Sequence, residues 1–166
     1  LSADTTPTKD ECGLEGLRIG LMSEGITSDA EAEQLARLTN WIVHAGGTVV
    51  VPENSDLLRM EAYIGRLLDA SAAVNPSLAY GDSIRQSGFH IMEAPTSHWV
   101  ETMTGLAATG VELILASTGE RPLQTHPFVP VMQLTSQLAV HKKYERDLDL
   151  LLAGNPDHWA HEILQR

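Results

Sequence analysis

The fold is decided by residues 16–52, which read GLRIGLMSEGITSDAEAEQLARLTNWIVHAGGTVVVP. The apolar run that opens this stretch is short and ends in a turn with glycine, which is typical of a β-strand. Ser28 and Glu31 then have the spacing of a capping box, and apolar residues recur at helical spacing until Gly46 and Gly47. The segment TVVVP that follows is β-branched and apolar on both faces. The stretch therefore predicts a β-α-β unit.

The same alternation continues to the end of the chain. A helix is predicted over 55–70, and GFHIMEAP and VELILAS are strand-like runs on either side of a helix that ends at Gly110. An extended segment over 128–135 precedes one or two helices predicted within 137–166. Strands separated by helices of this length require right-handed crossovers. We therefore expect a three-layer α/β fold, Rossmann-like in a loose sense, with helices on both faces of a mainly parallel sheet.

Chain length and the start of the sequence bound the domain organisation. The 166 residues are enough for one domain with a buried core. Residues 1–13 have no apolar periodicity and are expected to be a leader or linker, so the single α/β domain is expected over 14–166. Because the sequence begins at Leu1 rather than at Met, we expect a fragment or a reduced form of a longer protein.

Composition and charge exclude several classes of partner. Apolar residues make up 43% of the chain, and 22 acidic residues against 11 basic ones leave a formal charge of -11. A phosphate backbone or an anionic membrane surface would be repelled, so neither nucleic acid nor a membrane is expected as a partner. The longest apolar runs have about five residues, far fewer than the roughly 20 of a membrane-spanning helix. We expect a soluble protein in the cytoplasm.

Three carboxylates are predicted to lie where strands of a parallel sheet end. Glu53 and Glu93 directly follow strands, and Glu101 lies in the first turn of the next helix. Ligands of such sheets bind outside the carboxyl ends of the strands, where neighbouring carboxylates can exchange protons or hold a divalent cation. The alternative is that Glu101 complements a helix N-terminus and that the other two are solvated loop acids.

A second candidate group follows the strand VELILAS. Ser117, Thr118 and Gly119 offer hydroxyls and amides, and Arg121 could add a bidentate clamp for a carboxylate. His98 lies in another loop at the same predicted edge. The alternative is a glycine turn whose hydroxyls are satisfied by its own backbone.

Nucleotide binding is disfavoured by the turn after the first strand. MSEGITSD has one glycine and neither the GxGxxG nor the GxxxxGK[ST] spacing, so its backbone cannot approach a diphosphate closely. Helix capping is the simpler explanation of Ser28 and Glu31. A mononucleotide-binding module is therefore the weakest of the functions considered.

Five segments occur in an order that matches a known family. They are GLRIGLMSEG, AGGTVVVPEN, QSGFHIMEAP, ETMTGLAATGVELILASTG and HPFVPVMQLTS, which together cover roughly Gly13 to Gly154. In this order they resemble the carboxyl-terminal part of the galactarate dehydratase and altronate dehydratase (altronate hydrolase) family of sugar-acid hydro-lyases. The expected small-molecule partner is therefore a sugar acid.

The resemblance implies a reaction, a cofactor and further partners. Members of the family remove water from a hydroxylated sugar acid with the help of a divalent metal, so iron or manganese is expected here. Glu53 and Glu93 are the implied catalytic residues and the candidate metal ligands. The candidate substrate-binding residues are Ser117, Thr118, Gly119, His98 and Glu101. A homo-oligomer, or an amino-terminal domain absent from this chain, is the expected protein partner.

Departures from the family pattern favour an alternative. Met22 and Ser23 stand where many members have a Cys that enters a Gly-Gly-Ser-Asp turn, and residues 120–124 replace a glycine-containing loop. Between residues 75–77 and Tyr80 the chain lacks a Pro-Gly-Asn-Lys stretch and the helix after it. The alternative function is a non-catalytic domain, derived from that family, which binds a small acid or serves in assembly.

Overall fold

A six-stranded sheet forms the centre of the molecule. The computed structural model describes residues 14–69 and 75–166, and the predicted leader over 1–13 lies outside them. The strands are β1 (Arg18–Glu24), β2 (Thr48–Pro52), β3 (Gly88–Met92), β4 (Leu113–Thr118), β5 (Val131–Thr135) and β6 (Leu150–Leu151). They lie in the order β3-β2-β1-β4-β5-β6, and every neighbouring pair is parallel.

Five α-helices and two 3-10 helices accompany the sheet in the described part of the chain. They are α1 (Asp29–His44), α2 (Glu61–Asp69), α3 (Trp99–Thr109), α4 (Leu138–Lys143) and α5 (Trp159–Leu164), with 3-10 helices at Asp56–Arg59 and Pro156–His158. The predicted three-layer α/β architecture is confirmed. Within the two described ranges, no helix has the length and apolar character that crossing a membrane requires.

Successive residues of the central strands point into two separate cores. On one face Leu21 and Val49 join apolar residues of α1, α2 and α5 in a buried cluster. On the other face Met22 and Val50 join Leu106 and its neighbours on α3. Because alternate side chains of a strand point to opposite faces, a strand that is covered on both sides is apolar throughout. This explains the continuous apolar runs of the sequence.

The register of the strands aligns their carboxyl ends at one edge of the sheet. Ser23 of β1 lies beside Ser117 of β4, and Pro52 of β2 lies beside Met92 of β3. The segments that follow these strands therefore meet at the edge where a parallel sheet of this kind places its ligand. A functional site is therefore expected at this edge.

The helix predicted over 55–70 begins later than expected. The structure has a 3-10 helix at Asp56–Arg59, an extended Met60 and only then α2. The Leu57 amide donates to the Ser23 hydroxyl at 3.0 Å, which ties the start of this segment to β1. The backbone turns tightly around that contact, so the regular helix starts one turn later.

The helical region predicted over 137–166 contains a short strand. Leu150 and Leu151 form β6 and pair with β5. Asp149 fixes the register, because its carboxylate accepts the Gln133 amide at 2.7 Å and its amide donates to the Gln133 carbonyl at 2.8 Å. A strand of two residues is too short to leave a period-two pattern in the sequence.

The segment that begins at residue 75 covers the outer edge of β3. Leu78 forms an isolated parallel bridge with Met92, and its amide donates to the Ile91 carbonyl at 2.8 Å. The Glu93 amide in turn donates to the Leu78 carbonyl at 2.9 Å. An uncovered edge strand is prone to pair with other chains. The segment that departs from the resembled family therefore protects this edge.

Candidate functional site

The crevice between β1 and β4 is where a sheet of this strand order binds a dinucleotide. In this molecule two glycines close the crevice. The Gly119 amide donates to the Glu24 carbonyl at 2.9 Å, and a Cβ on Gly119 would lie 1.8 Å from the Gly25 carbonyl oxygen. Gly119, a predicted substrate-binding residue, is thus buried in close backbone packing.

A buried carboxylate lies at the same point of the fold. Glu31, in the first turn of α1, is 2% exposed and accepts hydrogen bonds from the hydroxyls of Ser117 and Ser136. Burial raises the pKa of Glu31, because desolvation of the charged form outweighs the two hydroxyl hydrogen bonds that lower it. The Glu31 side chain therefore places an acid group at the start of α1, where an anion could otherwise bind.

The capping-box prediction is confirmed for Ser28 and wrong for Glu31. Ser28 is the N-cap of α1, and its hydroxyl accepts the Glu31 amide at 3.2 Å. The Glu31 side chain points inward to Ser117 and Ser136 and so does not complete the box. The sequence contains a signal for this, because Glu31 precedes Leu35 by four residues and lies on the apolar stripe of α1.

The hydroxyls predicted to bind substrate are used within the protein. Ser117 is buried and donates to Glu31. Thr118 donates to the Arg121 carbonyl, and its hydroxyl oxygen accepts the Arg121 amide at 3.3 Å. This is the self-satisfied turn that the sequence left open as the alternative. The turn holds the backbone of Arg121 at the edge of the sheet and leaves its side chain exposed.

Glu53 and Glu93 lie at the ends of adjacent strands. They follow the paired residues Pro52 and Met92, and both are exposed. One carboxylate oxygen of Glu53 accepts the amide of Ala94 at 2.9 Å, so this side chain leans toward the loop that begins with Glu93. Both acids are accessible to a small molecule.

The described residues do not gather a metal-binding cluster. In residues 14–69 and 75–166, no group of three or more His, Cys, Asp or Glu side chains is placed to hold a metal ion. Glu53 and Glu93 could contribute two oxygen ligands, whereas hard divalent cations take about six or more. The residues described here therefore do not by themselves fit a resident metal.

An open groove of about 670 Å³ lies between the start of α3 and the loop after β4. The residues that line it are His98, Trp99, Val100, Glu101, Arg121, Pro122, Leu123 and Gln124. Two predicted site residues, His98 and Glu101, thus share one groove with Arg121. His98 is the N-cap of α3, yet its side chain makes no capping hydrogen bond. Its imidazole is exposed and not committed to the helix.

Arg121 is the arginine of this groove. Among the described residues it has no ion-pair partner, in contrast to Arg59, whose guanidinium lies 3.4 Å from the Asp56 carboxylate. A guanidinium presents a planar fork of donors that matches a carboxylate. The groove can therefore hold the acid group of a small molecule.

Asn54 positions one wall of the groove and was not singled out from the sequence. Its side-chain nitrogen donates to the Thr96 carbonyl and to the Thr102 hydroxyl, both at 3.0 Å. These bonds tie the turn after β2 to the loop before α3 and to the first turn of that helix. The available signal was a polar amide directly after Glu53, at the end of an apolar strand.

A comparison with known families finds a match over residues 69–155. The matching family model describes the C-terminal domain of D-galactarate/altronate dehydratase, which confirms the resemblance seen in the sequence. The match includes Glu93, the residues that line the groove and 117–119, whereas Glu31 and Glu53 precede it. No curated protein matches the chain.

Proposed function

Because the chain belongs to the D-galactarate/altronate dehydratase C-terminal family, we propose that it binds the carboxylate of a sugar acid in the groove beside α3. In this proposal the chain is part of a hydro-lyase for acids of the galactarate or altronate type. Carboxylate binding is the step that the geometry supports best.

The guanidinium of Arg121, which has no ion-pair partner among the described residues, is the observation that carries the proposal. It lies in a groove with His98 and with the apolar side chains of Trp99 and Leu123. Bidentate hydrogen bonds from Arg to a carboxylate are about twice as strong as neutral ones. Since the whole chain has a formal charge of -11, binding an anion depends on such a local cation.

Glu53 and Glu93 are the proposed proton-transfer groups. Dehydration of a sugar acid removes the proton from the carbon next to the carboxylate and the hydroxyl group from the following carbon. One glutamate accepts the carbon-bound proton, and the other, when protonated, delivers a proton to the departing hydroxyl, so that water leaves and an enol remains. The enol then tautomerises to a 2-keto acid. Two carboxylates at adjacent strand ends supply the acceptor and the donor.

A non-catalytic acid-binding domain is the second candidate function. Glu53 and Glu93 are not among the residues that line the groove, and the described part of the chain lacks a cluster of three metal ligands. Under this hypothesis the groove binds the acid and the chemistry belongs to another part of an assembly. Both candidate functions bind a sugar acid in the groove, but only the hydro-lyase converts the acid to product.

The binding step is tested by calorimetric titration of the chain with altronate. Arg121→Gln is expected to weaken binding at least about tenfold, because it removes a charge-assisted bidentate contact. Arg85→Gln is the matched control. Arg85 is exposed and follows Ile84, whose amide donates to the Thr109 carbonyl at the far end of α3. Equal affinity of wild type and Arg121→Gln would remove the proposed site.

Turnover is tested by following 2-keto acid formation from altronate and galactarate, with and without added Fe²⁺ or Mn²⁺. If the chain is catalytic, Glu53→Gln and Glu93→Gln should each lower the rate by about 100-fold or more, as expected for the loss of a general acid or base. If an acid binds but no 2-keto acid forms under any of these conditions, the non-catalytic candidate is favoured.

A further inference from the structure

The charges of the groove suit a ligand with one acid group. Arg121 is cationic and Glu101 is anionic, and apart from His98 the other lining residues are uncharged. Arg121 and Glu101 form no ion pair with each other in the described structure. The guanidinium of Arg121 is therefore available to a ligand, and the carboxylate of Glu101 is not paired with Arg121.

The backbone of Glu101 is held firmly, whereas its carboxylate is not engaged. The Tyr80 hydroxyl donates to the Glu101 carbonyl at 2.6 Å. The Tyr80 ring packs against Gly105, where an added Cβ would lie 2.4 Å from a ring carbon. The Glu101 side chain is exposed, and its carboxylate has no hydrogen-bond partner among the described residues. Glu101 thus carries a negative charge on the groove wall and has no ion-pair partner among the described residues.

Resting on the proposed function, we infer that the groove selects sugar acids with one carboxylate, such as altronate, over those with two, such as galactarate. One carboxylate pairs with Arg121. In this inference the second carboxylate of galactarate lies in the same groove, whose other lining side chains are Glu101, His98 and uncharged residues. Like charges in contact and charges desolvated without a partner both weaken a complex. The groove therefore discriminates by repulsion as well as by attraction.

The test is a calorimetric titration of the full chain with altronate and with galactarate at low ionic strength. We expect altronate to bind about tenfold more tightly. Glu101→Gln removes the repulsive charge and should reduce the preference to about twofold or less, chiefly by improving the binding of galactarate. Glu15→Gln removes the same charge from an exposed turn before β1, at the opposite edge of the sheet, and should leave the preference unchanged.

Added salt provides an independent readout of the same effect. Because exposed charges are screened within about 10 Å at 0.1 M ionic strength, the preference of the wild type should shrink as salt is added, while that of Glu101→Gln should change little. Circular dichroism of each variant checks that the fold is retained.

Two results overturn the inference and leave the proposed function intact. They are equal affinity of the wild type for both acids, and a preference that persists unchanged in Glu101→Gln, in each case with binding that still requires Arg121. Failure of both acids to bind the wild type overturns the proposed function itself, and the selectivity falls with it.

Discussion

Two places at the same edge of the sheet differ in how their polar groups are satisfied. At the crevice between β1 and β4, Glu31 accepts from Ser117, and the Gly119 backbone packs directly on Gly25. In the groove beside α3, Arg121 has no ion-pair partner among the described residues. The polar groups at the crevice are thus satisfied within the protein, whereas the guanidinium in the groove has no ion-pair partner among the described residues and is accessible to a ligand.

This difference shows that strand order alone does not locate the ligand. The order of this sheet is that of dinucleotide-binding domains, yet the corresponding crevice is closed and has an acid group at the start of α1. Under the proposed function the ligand still binds beyond the carboxyl ends of the strands, but in the groove between the start of α3 and the loop after β4.

Replacing Gly119 by alanine is expected to have the largest effect. The new Cβ would lie 1.8 Å from the Gly25 carbonyl oxygen, a backbone atom at the end of β1 that cannot rotate away as a side chain would. We expect the free energy of unfolding to fall by about 3 kcal/mol or more, as for severe overpacking. Urea denaturation measures this.

Gly65→Ala is the matched control for that substitution. Gly65 lies within α2, and a Cβ there would meet nothing within 4 Å. Alanine in a helix is favoured over glycine by about 0.5–1 kcal/mol, so this variant should be slightly more stable than the wild type. A Gly119→Ala variant as stable as Gly65→Ala would contradict the closed crevice.

Glu31→Ala is expected to be the next largest effect. It leaves the buried hydroxyl of Ser117 and the half-buried hydroxyl of Ser136 without their acceptor. We expect a loss of about 2 kcal/mol in the free energy of unfolding, again by urea denaturation. Glu33→Ala removes an exposed acid from the same helix and should change stability by less than about 0.5 kcal/mol. If the two variants are equally stable, Glu31 does not join α1 to the sheet.

The pH dependence of stability is expected to be the smallest of the three effects. Burial raises the pKa of Glu31 above its ordinary value of 4.5, and hydrogen bonds from Ser117 and Ser136 offset part of the rise. A carboxyl group with a higher pKa in the folded state binds more protons when folded. Its contribution to stability is therefore greatest below 4.5 and decreases as the pH rises through the folded-state pKa.

Glu31→Gln isolates this contribution because glutamine does not titrate. The unfolding free energy of the wild type, relative to that of Glu31→Gln, should decrease as the pH rises above 4.5 and become constant above the folded-state pKa. Urea denaturation at a series of pH values measures the difference. A difference that does not vary with pH would mean that the Glu31 carboxylate is as solvated in the fold as in the unfolded chain.

Most of the sheet could be predicted from the sequence because its signals are local. Ser28 marks the start of α1 and Gly110 the end of α3, and the apolar runs between such signals had the length of strands. β6 could not be predicted, because its two residues are held by the contact between Asp149 and Gln133 on β5. That contact joins parts of the chain that no local pattern relates.

The site was only partly predictable for a similar reason. The strand ends that bring Glu53 beside Glu93 follow from a parallel sheet. His98 shares a groove with the loop after β4 because α3 packs across β1 and β2, the two strands that separate β3 from β4. The direction of the Glu31 side chain does not follow from the sheet, because its spacing from Ser28 fits a capping box as well as a buried acid. Packing of α1 against the sheet decides between the two, and packing is a property of the whole fold.

The proposed function requires that the groove beside α3, and not the crevice between β1 and β4, receives the acid. Amide chemical shifts of the isotope-labelled chain during titration with altronate test this directly. We expect the largest shifts at residues 98–101 and at residues 121, 123 and 124, since Pro122 has no amide proton, and we expect these shifts to disappear in Arg121→Gln. Shifts concentrated at residues 23–31, or unchanged by Arg121→Gln, would contradict it.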